Sequence, residues 1–207
     1  MRLSVVCASN SEAVLQKNLL ASPGVYEHEV IIRRGFKRVG RAYNDGWMSA
    51  SGDVIVFAHQ DVYLPDTFFP ALQHALDIVP ADFGVLGCAG KDKAGRCIGH
   101  VLDRGSMWGT AEGLPADVQT LDELLLVVRR TAPMFFDPNF ARNHLFGADL
   151  CMQAHALGLK VMAIDAFCHH NSTCPVSPAP DMREEVAYMR AKWIKQLPIH
   201  TTCTVIA

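Results

Sequence analysis

Gly52-Asp53-Val54-Ile55-Val56-Phe57-Ala58-His59-Gln60-Asp61 is the stretch on which the fold turns. A Gly-Asp turn leads into five apolar residues with no polar residue alternating among them. A strand that faces water on one side alternates, whereas a continuous apolar run belongs to a strand covered on both faces, as in parallel sheets. The run stops at His-Gln-Asp, which places an imidazole and a carboxylate at the carboxyl end of a buried strand. In open α/β sheets that end is where ligands bind.

Working outward, residues 3–7 read as a short apolar strand, and the Ser9/Glu12 spacing predicts a capping box with a helix over 10–20. Pro23-Gly24 stops that helix, 28–32 supplies a second strand, and a helix is expected over 39–50. Beyond Asp61, Asp66 is expected to cap a helix whose apolar face carries Phe69, Leu72, Leu76 and Val79, with Pro70 tolerated in the first turn. Residues 83–87 form the next strand. Strands and helices that alternate in this way predict an α/β sheet with right-handed crossovers. Residues 88–113 read as strands and long loops, and 124–128 as a buried strand. Phe146, Leu150, Ala154 and Leu157 line one face of a helix that Gly158 ends. Residues 161–164 form a strand leading to Cys168-His169-His170-Asn171-Ser172. The stretch 173–180, with three prolines, reads as a loop, and Asp181 is expected to cap a last helix over 182–195.

The 207 residues carry 19 Lys+Arg against 21 Asp+Glu, a net charge of −2, which fits one compact domain and gives no electrostatic footprint for nucleic acid. A chain that is 50% hydrophobic and 19% charged is not disordered by composition. No apolar run approaches the ~20 residues that span a bilayer. The N-terminus turns polar at Ser9-Asn10-Ser11-Glu12, too soon for a signal peptide. Seven cysteines without a CxxC pair read as reduced thiols, so a cytoplasmic setting is expected.

Three polar clusters fall at strand ends: Ala8-Ser9-Asn10, His59-Gln60-Asp61 and His169-His170. Asp61 suits a hard divalent cation that completes its shell with water and phosphate oxygens, and equally suits the start of a turn. Asp149 in a first helical turn is stabilising in its own right. Ser9 fits a helix cap, Tyr43 and Asn44 fit ordinary helix packing, and Trp108 fits beneath its own loop. A basic cluster, Arg33, Arg34, Lys37, Arg38 and Arg41, reads as a solvated face or as a contact for a diphosphate or an anionic membrane.

The order of the motifs resembles that of the GT-A glycosyltransferases, specifically the small bacterial family-2-like group. The matching stretches are Ser4-Val5-Val6-Cys7-Ala8-Ser9-Asn10, Ala42-Tyr43-Asn44-Asp45-Gly46 and the stretch Gly52 to Asp61 quoted above. Further on come Thr120-Leu121-Asp122 with residues 124–130, then Phe136-Asp137, His144 to Asp149, and Cys168 to Ser172. The ordered set, covering residues 3–172, carries the likeness.

The resemblance implies a nucleotide-diphospho-sugar transferase fold, a mostly parallel mixed sheet flanked by helices in a single domain. Residues 1–90 would be its nucleotide-sugar-binding half and 91–207 its acceptor and catalytic half. The implied function is transfer of a sugar, with inversion, from a nucleotide diphosphate donor to a hydroxyl. A UDP-sugar is the expected donor, a saccharide or lipid-linked molecule the expected acceptor, and Mn²⁺ or Mg²⁺ the expected ion. The implied donor contacts are Ala8, Ser9, Asn10, Tyr43, Asn44, His59, Gln60 and Asp61. The Asp-x-Asp metal motif maps onto His59-Gln60-Asp61, with histidine replacing the first acid. Asp61 and one of His169 and His170 would hold the ion, since successive strand residues point opposite ways. The catalytic acid pair maps onto Ala148-Asp149, with Asp149 as base. Trp108 and Asp122 would meet the acceptor, and a membrane face or partner protein would present it. The departures at His59 and Ala148 keep open a sugar-nucleotide-binding module without catalysis. Asp61 with the late histidines keeps open a metal-dependent hydrolase.

Overall fold

The computed structural model describes residues 1–140, 143–172 and 181–207; the proline-bearing stretch 173–180, expected as a loop, lies outside the described residues. The chain opens with β1 (Leu3–Ser9), α1 (Glu12–Lys17), β2 (Glu29–Arg34), α2 (Val39–Ser49) and β3 (Val54–Ala58). It continues with β4 (Val62–Tyr63), α3 (Phe68–Ile78), β5 (Phe83–Gly87), β6 (Ala89–Lys91), β7 (Cys97–Asp103) and β8 (Ser106–Gly109). Then come β9 (Ala116–Asp117), β10 (Thr120–Leu121), β11 (Leu125–Arg129), α4 (Phe146–Ala156), β12 (Lys160–Ala163) and β13 (Cys168–His170). α5 (Arg183–Lys192) precedes a terminal hairpin, β14 (Ile199–His200) and β15 (Val205–Ile206).

The central sheet runs β2-β1-β3-β11-β5-β12-β9. β1 is parallel to β2 and β3, and β12 to β5, while β11 runs against both its neighbours and β9 against β12. This is the expected mostly parallel mixed sheet. A second sheet, β10-β6-β7-β13-β4 with β8 on β7, stands beside it.

All five residues of β3 are buried, and their faces divide the core. Ile55 and Phe57 pack with Tyr43 and Trp47 of α2 and with Phe146 and Leu150 of α4. Val54, Val56 and Ala58 pack with Leu15 of α1 and with Phe68 and Leu72 of α3. Each such aliphatic or aromatic side chain taken out of water contributes about 1.5–3 kcal/mol, so this strand anchors both layers. α2 approaches β1 so closely that a Cβ on Gly46 would lie 2.3 Å from Val6 Cγ1; only glycine fits there.

Local capping differs from expectation in three places. Ser11, not Ser9, caps α1, its side chain accepting from the Val14 amide, because Ser9 Oγ donates instead to Gln60 Oε1 at 2.8 Å. Thr67 rather than Asp66 precedes α3, which still leaves Pro70 in the first turn. Met182 precedes α5, while Asp181 Oδ1 accepts the Arg183 amide at 3.2 Å. On α4, Leu157 is 50% exposed, because the helix has ended by then and Gly158 takes φ +73°.

Candidate functional site

The carboxyl ends of β1 and β3 and the amino end of α4 border an open cleft of about 590 Å³. Its wall includes Ala8, Ser9, Asn10, His59, Gln60, Asp61, Trp108, Asp122 and His170, all expected from the sequence. Gln60 ties the two strand ends together. Its Oε1 accepts Ser9 Oγ and the amides of Asn10 and Ser11 at 2.8–3.1 Å, and its Nε2 donates to Asn10 Oδ1 at 2.7 Å.

At the cleft floor, His59, Asp61 and His170 each turn one ligand-type atom inward, and these atoms lie within 4.8 Å of one another. β13 pairs with β4 and β7, which carries His170 from the far end of the chain to Asp61. His170 Nε2 is 3.5 Å from Asp61 Oδ1, while Nδ1 is 2.8 Å from Asp103 Oδ1. A carboxylate on the remote ring nitrogen fixes the ring and directs the other nitrogen, the arrangement that metal-ligating histidines use. Burial pushes the Asp61 carboxyl up, but the His170 hydrogen bond and the His59 and His170 charges outweigh it and hold it below its usual range. Burial likewise pulls His170 down, but Asp61 first, with Asp122 and Asp103, raises it. His59 is lowered, chiefly by burial, so it favours the neutral, ligating form. Two imidazole nitrogens and one carboxylate oxygen form a donor set that fits Mn²⁺ better than Mg²⁺.

The expectations for Asp149 and Asn44 need correction, and the structure separates His169 from His170. Asp149 does not reach the cleft. Its side chain is 0% exposed, with Oδ1 accepting Trp193 Nε1 at 2.7 Å and standing 2.8 Å from Lys192 Nζ, while Oδ2 accepts Gln153 Nε2 at 2.8 Å. A carboxylate enclosed by an indole, an ammonium and an amide has no path to an acceptor proton; it docks the end of α5 onto α4. His169 points away from the triad, between Tyr63 and Phe167, as strand alternation requires. Asn44 spends both ends of its amide on the Phe136 backbone at 2.7 and 2.9 Å, clamping α2 to the loop before α4. Tyr43 borders the cleft as expected, though buried at 0% exposure with its hydroxyl donating to the Ala58 carbonyl.

The basic cluster is mostly engaged. Arg33 pairs with Asp45 and borders the cleft, Arg34 pairs with Glu12 at 2.9 Å, and Arg38 donates to the Pro138 carbonyl at 2.7 Å. Two acids of the site were not foreseen as such, Asp103 behind His170 and Glu123 in the cleft wall. The signal for Asp103 lies in sheet register, since it sits opposite His170 in the β7–β13 pairing. Glu123 is the second member of an acidic pair placed directly before a buried strand. Among the described residues no helix is long and apolar enough to cross a membrane.

No family model matches the chain. A curated protein, ATP synthase subunits region ORF 6 of Fuscovulum blasticum, is 28% identical over 159 residues, 72% of this chain and 64% of that protein, so the chain spans less than two thirds of this relative. Among solved structures, S. aureus TarS 1-349 superposes with a TM-score of 0.59 at 15% identity, over 92% of this chain and 64% of that one. The mannosyltransferase PcManGT of Pyrobaculum calidifontis, in complex with GDP-Man and Mn²⁺, gives 0.54 at 12% identity over 92% and 60%. Glucosyl-3-phosphoglycerate synthase of Mycobacterium tuberculosis, in complex with Mg²⁺ and UDP, gives 0.54 at 15% over 92% and 79%. With a mixed central sheet, helices on both faces and the cleft at the carboxyl strand ends, the chain has the GT-A fold.

Proposed function

We propose that the protein is a glycosyltransferase that binds a nucleotide-diphosphate sugar in this cleft and passes the sugar, with inversion, to a hydroxyl acceptor. The observation that carries the proposal is the convergence of His59, Asp61 and His170 at the carboxyl end of β3, inside a cleft large enough for a nucleotide sugar. The structural neighbours in complex with GDP-Man and Mn²⁺, with UDP-GlcNAc, and with UDP and Mg²⁺ support the same chemistry in the same fold. His59, Asp61 and His170 would hold a divalent ion, which would supply positive charge against the leaving diphosphate. Asp103 keeps the His170 ring turned toward the site, and Gln60 holds the β1 and β3 ends at fixed separation for the nucleoside. Trp108 and Asp122 line the same cleft, and in this reading they would receive the acceptor.

The test is a thermal-shift panel of UDP-GlcNAc, UDP-glucose and GDP-mannose with and without Mn²⁺. A donor at a hundred times its Kd adds about 2.7 kcal/mol to the folded state, a rise in Tm that is easily read. Failure of every nucleotide sugar to stabilise the protein in the presence of Mn²⁺ would sink the proposal.

One observation favours a second reading, a donor-binding module without turnover: Asp149 is sealed and cannot act as base. Release of nucleoside diphosphate from a bound donor separates the two.

A further inference from the structure

We propose that Glu123 is the general base of the transfer, a role that rests on the glycosyltransferase reading above and that Asp149 cannot fill. Glu123 lines the cleft on the loop between β10 and β11, directly after Asp122. It reaches the amino end of α4, where its Oε1 accepts the Leu145 amide at 2.8 Å. The helix makes room for it: a Cβ on Gly147 would stand 2.9 Å from Glu123 Cβ, so a larger residue there would displace the side chain. The end of α4 thus receives its carboxyl from a neighbouring loop, while Phe146 and not an acid lines the cleft at the helix start.

The electrostatics suit the role. Burial first, and the Asp122 charge second, push the Glu123 carboxyl up to about 8, against the Leu145 amide, which pulls it down. A base is most effective when its pKa lies near the working pH. In the transfer, the acceptor hydroxyl proton moves to the Glu123 carboxylate as the acceptor oxygen bonds to the anomeric carbon. The anomeric C–O bond to the diphosphate breaks, and its electron pair leaves with the nucleoside diphosphate. Besides Asp122, the titratable groups that couple to Glu123 include Tyr43 of α2, Cys151 of α4 and Cys203 of the β14–β15 turn. Burial raises Tyr43 well above its usual value and both thiols to about 12, so these three stay neutral from pH 6 to 9.

The experiment follows nucleoside diphosphate release from UDP-GlcNAc, UDP-glucose and GDP-mannose with Mn²⁺, water serving as acceptor. Gln keeps an oxygen for the Leu145 amide and removes the base, so Glu123→Gln should retain donor-induced thermal stabilisation and lose at least ~100-fold in turnover. Wild-type rates should climb tenfold per pH unit and level off near pH 8. Wild-type turnover with Glu123→Gln within threefold of it overturns the base assignment alone. No release by wild type from any of the three donors overturns the glycosyltransferase reading and this assignment with it. Should Glu123→Gln show no folding transition, the wild-type profile decides: a flat rate from pH 6 to 9 overturns the assignment.

Discussion

Asp61 and Asp149 are both aspartates paired with nitrogen donors, and their surroundings separate them. Asp61 stands at a strand end with a side chain 17% exposed, facing two imidazoles that can exchange a proton for a metal ion. Asp149 stands in the first turn of α4 at 0% exposure, held by Lys192, Gln153 and the buried Trp193 indole. An acid becomes a ligand or a base when its partners are displaceable and its path to solvent is open; otherwise it is part of the scaffold. Glu123 lies between the two cases, buried yet in the cleft wall.

The largest expected effect breaks the comparison on the Asp149 side. Asp149→Ala leaves Lys192 half-buried against Asp137 alone and the Trp193 indole without its acceptor, which should cost about 3–5 kcal/mol in chemical denaturation. An unchanged midpoint would show that the enclosure contributes nothing. On the other side, Asp61→Ala should leave the midpoint nearly in place and weaken Mn²⁺ binding by on the order of 100-fold in calorimetric titration. Asp103→Asn tests the support behind His170, with about tenfold weaker Mn²⁺ binding expected.

Glu123 adds a pH signature to the metal-free protein. Its folded-state carboxyl is raised from 4.5 to about 8, so its contribution to stability is whole below pH 4.5 and is lost as pH rises toward 8. The Tm of Glu123→Gln relative to wild type should therefore become more favourable from pH 5 to pH 8, by several degrees at about 2–4 °C per kcal/mol. A constant difference across that range would contradict the raised carboxyl. The smallest effect is expected at His169→Ala, which should leave Mn²⁺ binding within about twofold because that ring faces Tyr63 and Phe167.

The frame of the molecule was legible because local signals agree with tertiary ones. The apolar run Val54–Ala58 and the strand Phe83–Gly87 occur as read, and α2 ends one residue short of expectation at Ser49. The place of Asp61 in the cleft wall was legible for the same reason, as a polar break after a buried run. The rest depended on partners remote in sequence. Asp149 was misread because Lys192 and Trp193 lie 43 and 44 residues beyond it. Asn44 was misread because its partner backbone is 92 residues away. Strand alternation left the choice between His169 and His170 open, and the register of β13 against Asp103 and Val62 turns His170, not His169, toward Asp61. Glu123 was passed over beside Asp122, since nothing local shows that a carboxyl there meets the start of a helix.

The most direct measurement is calorimetric titration of UDP-GlcNAc, UDP-glucose and GDP-mannose into wild type, His170→Ala and Asp149→Asn, each with and without Mn²⁺. The predicted result is Mn²⁺-dependent binding of a nucleotide sugar that is lost in His170→Ala and retained in folded Asp149→Asn. Binding that ignores Mn²⁺ and survives His170→Ala would contradict the assignment of His59, Asp61 and His170 as the metal centre of the site.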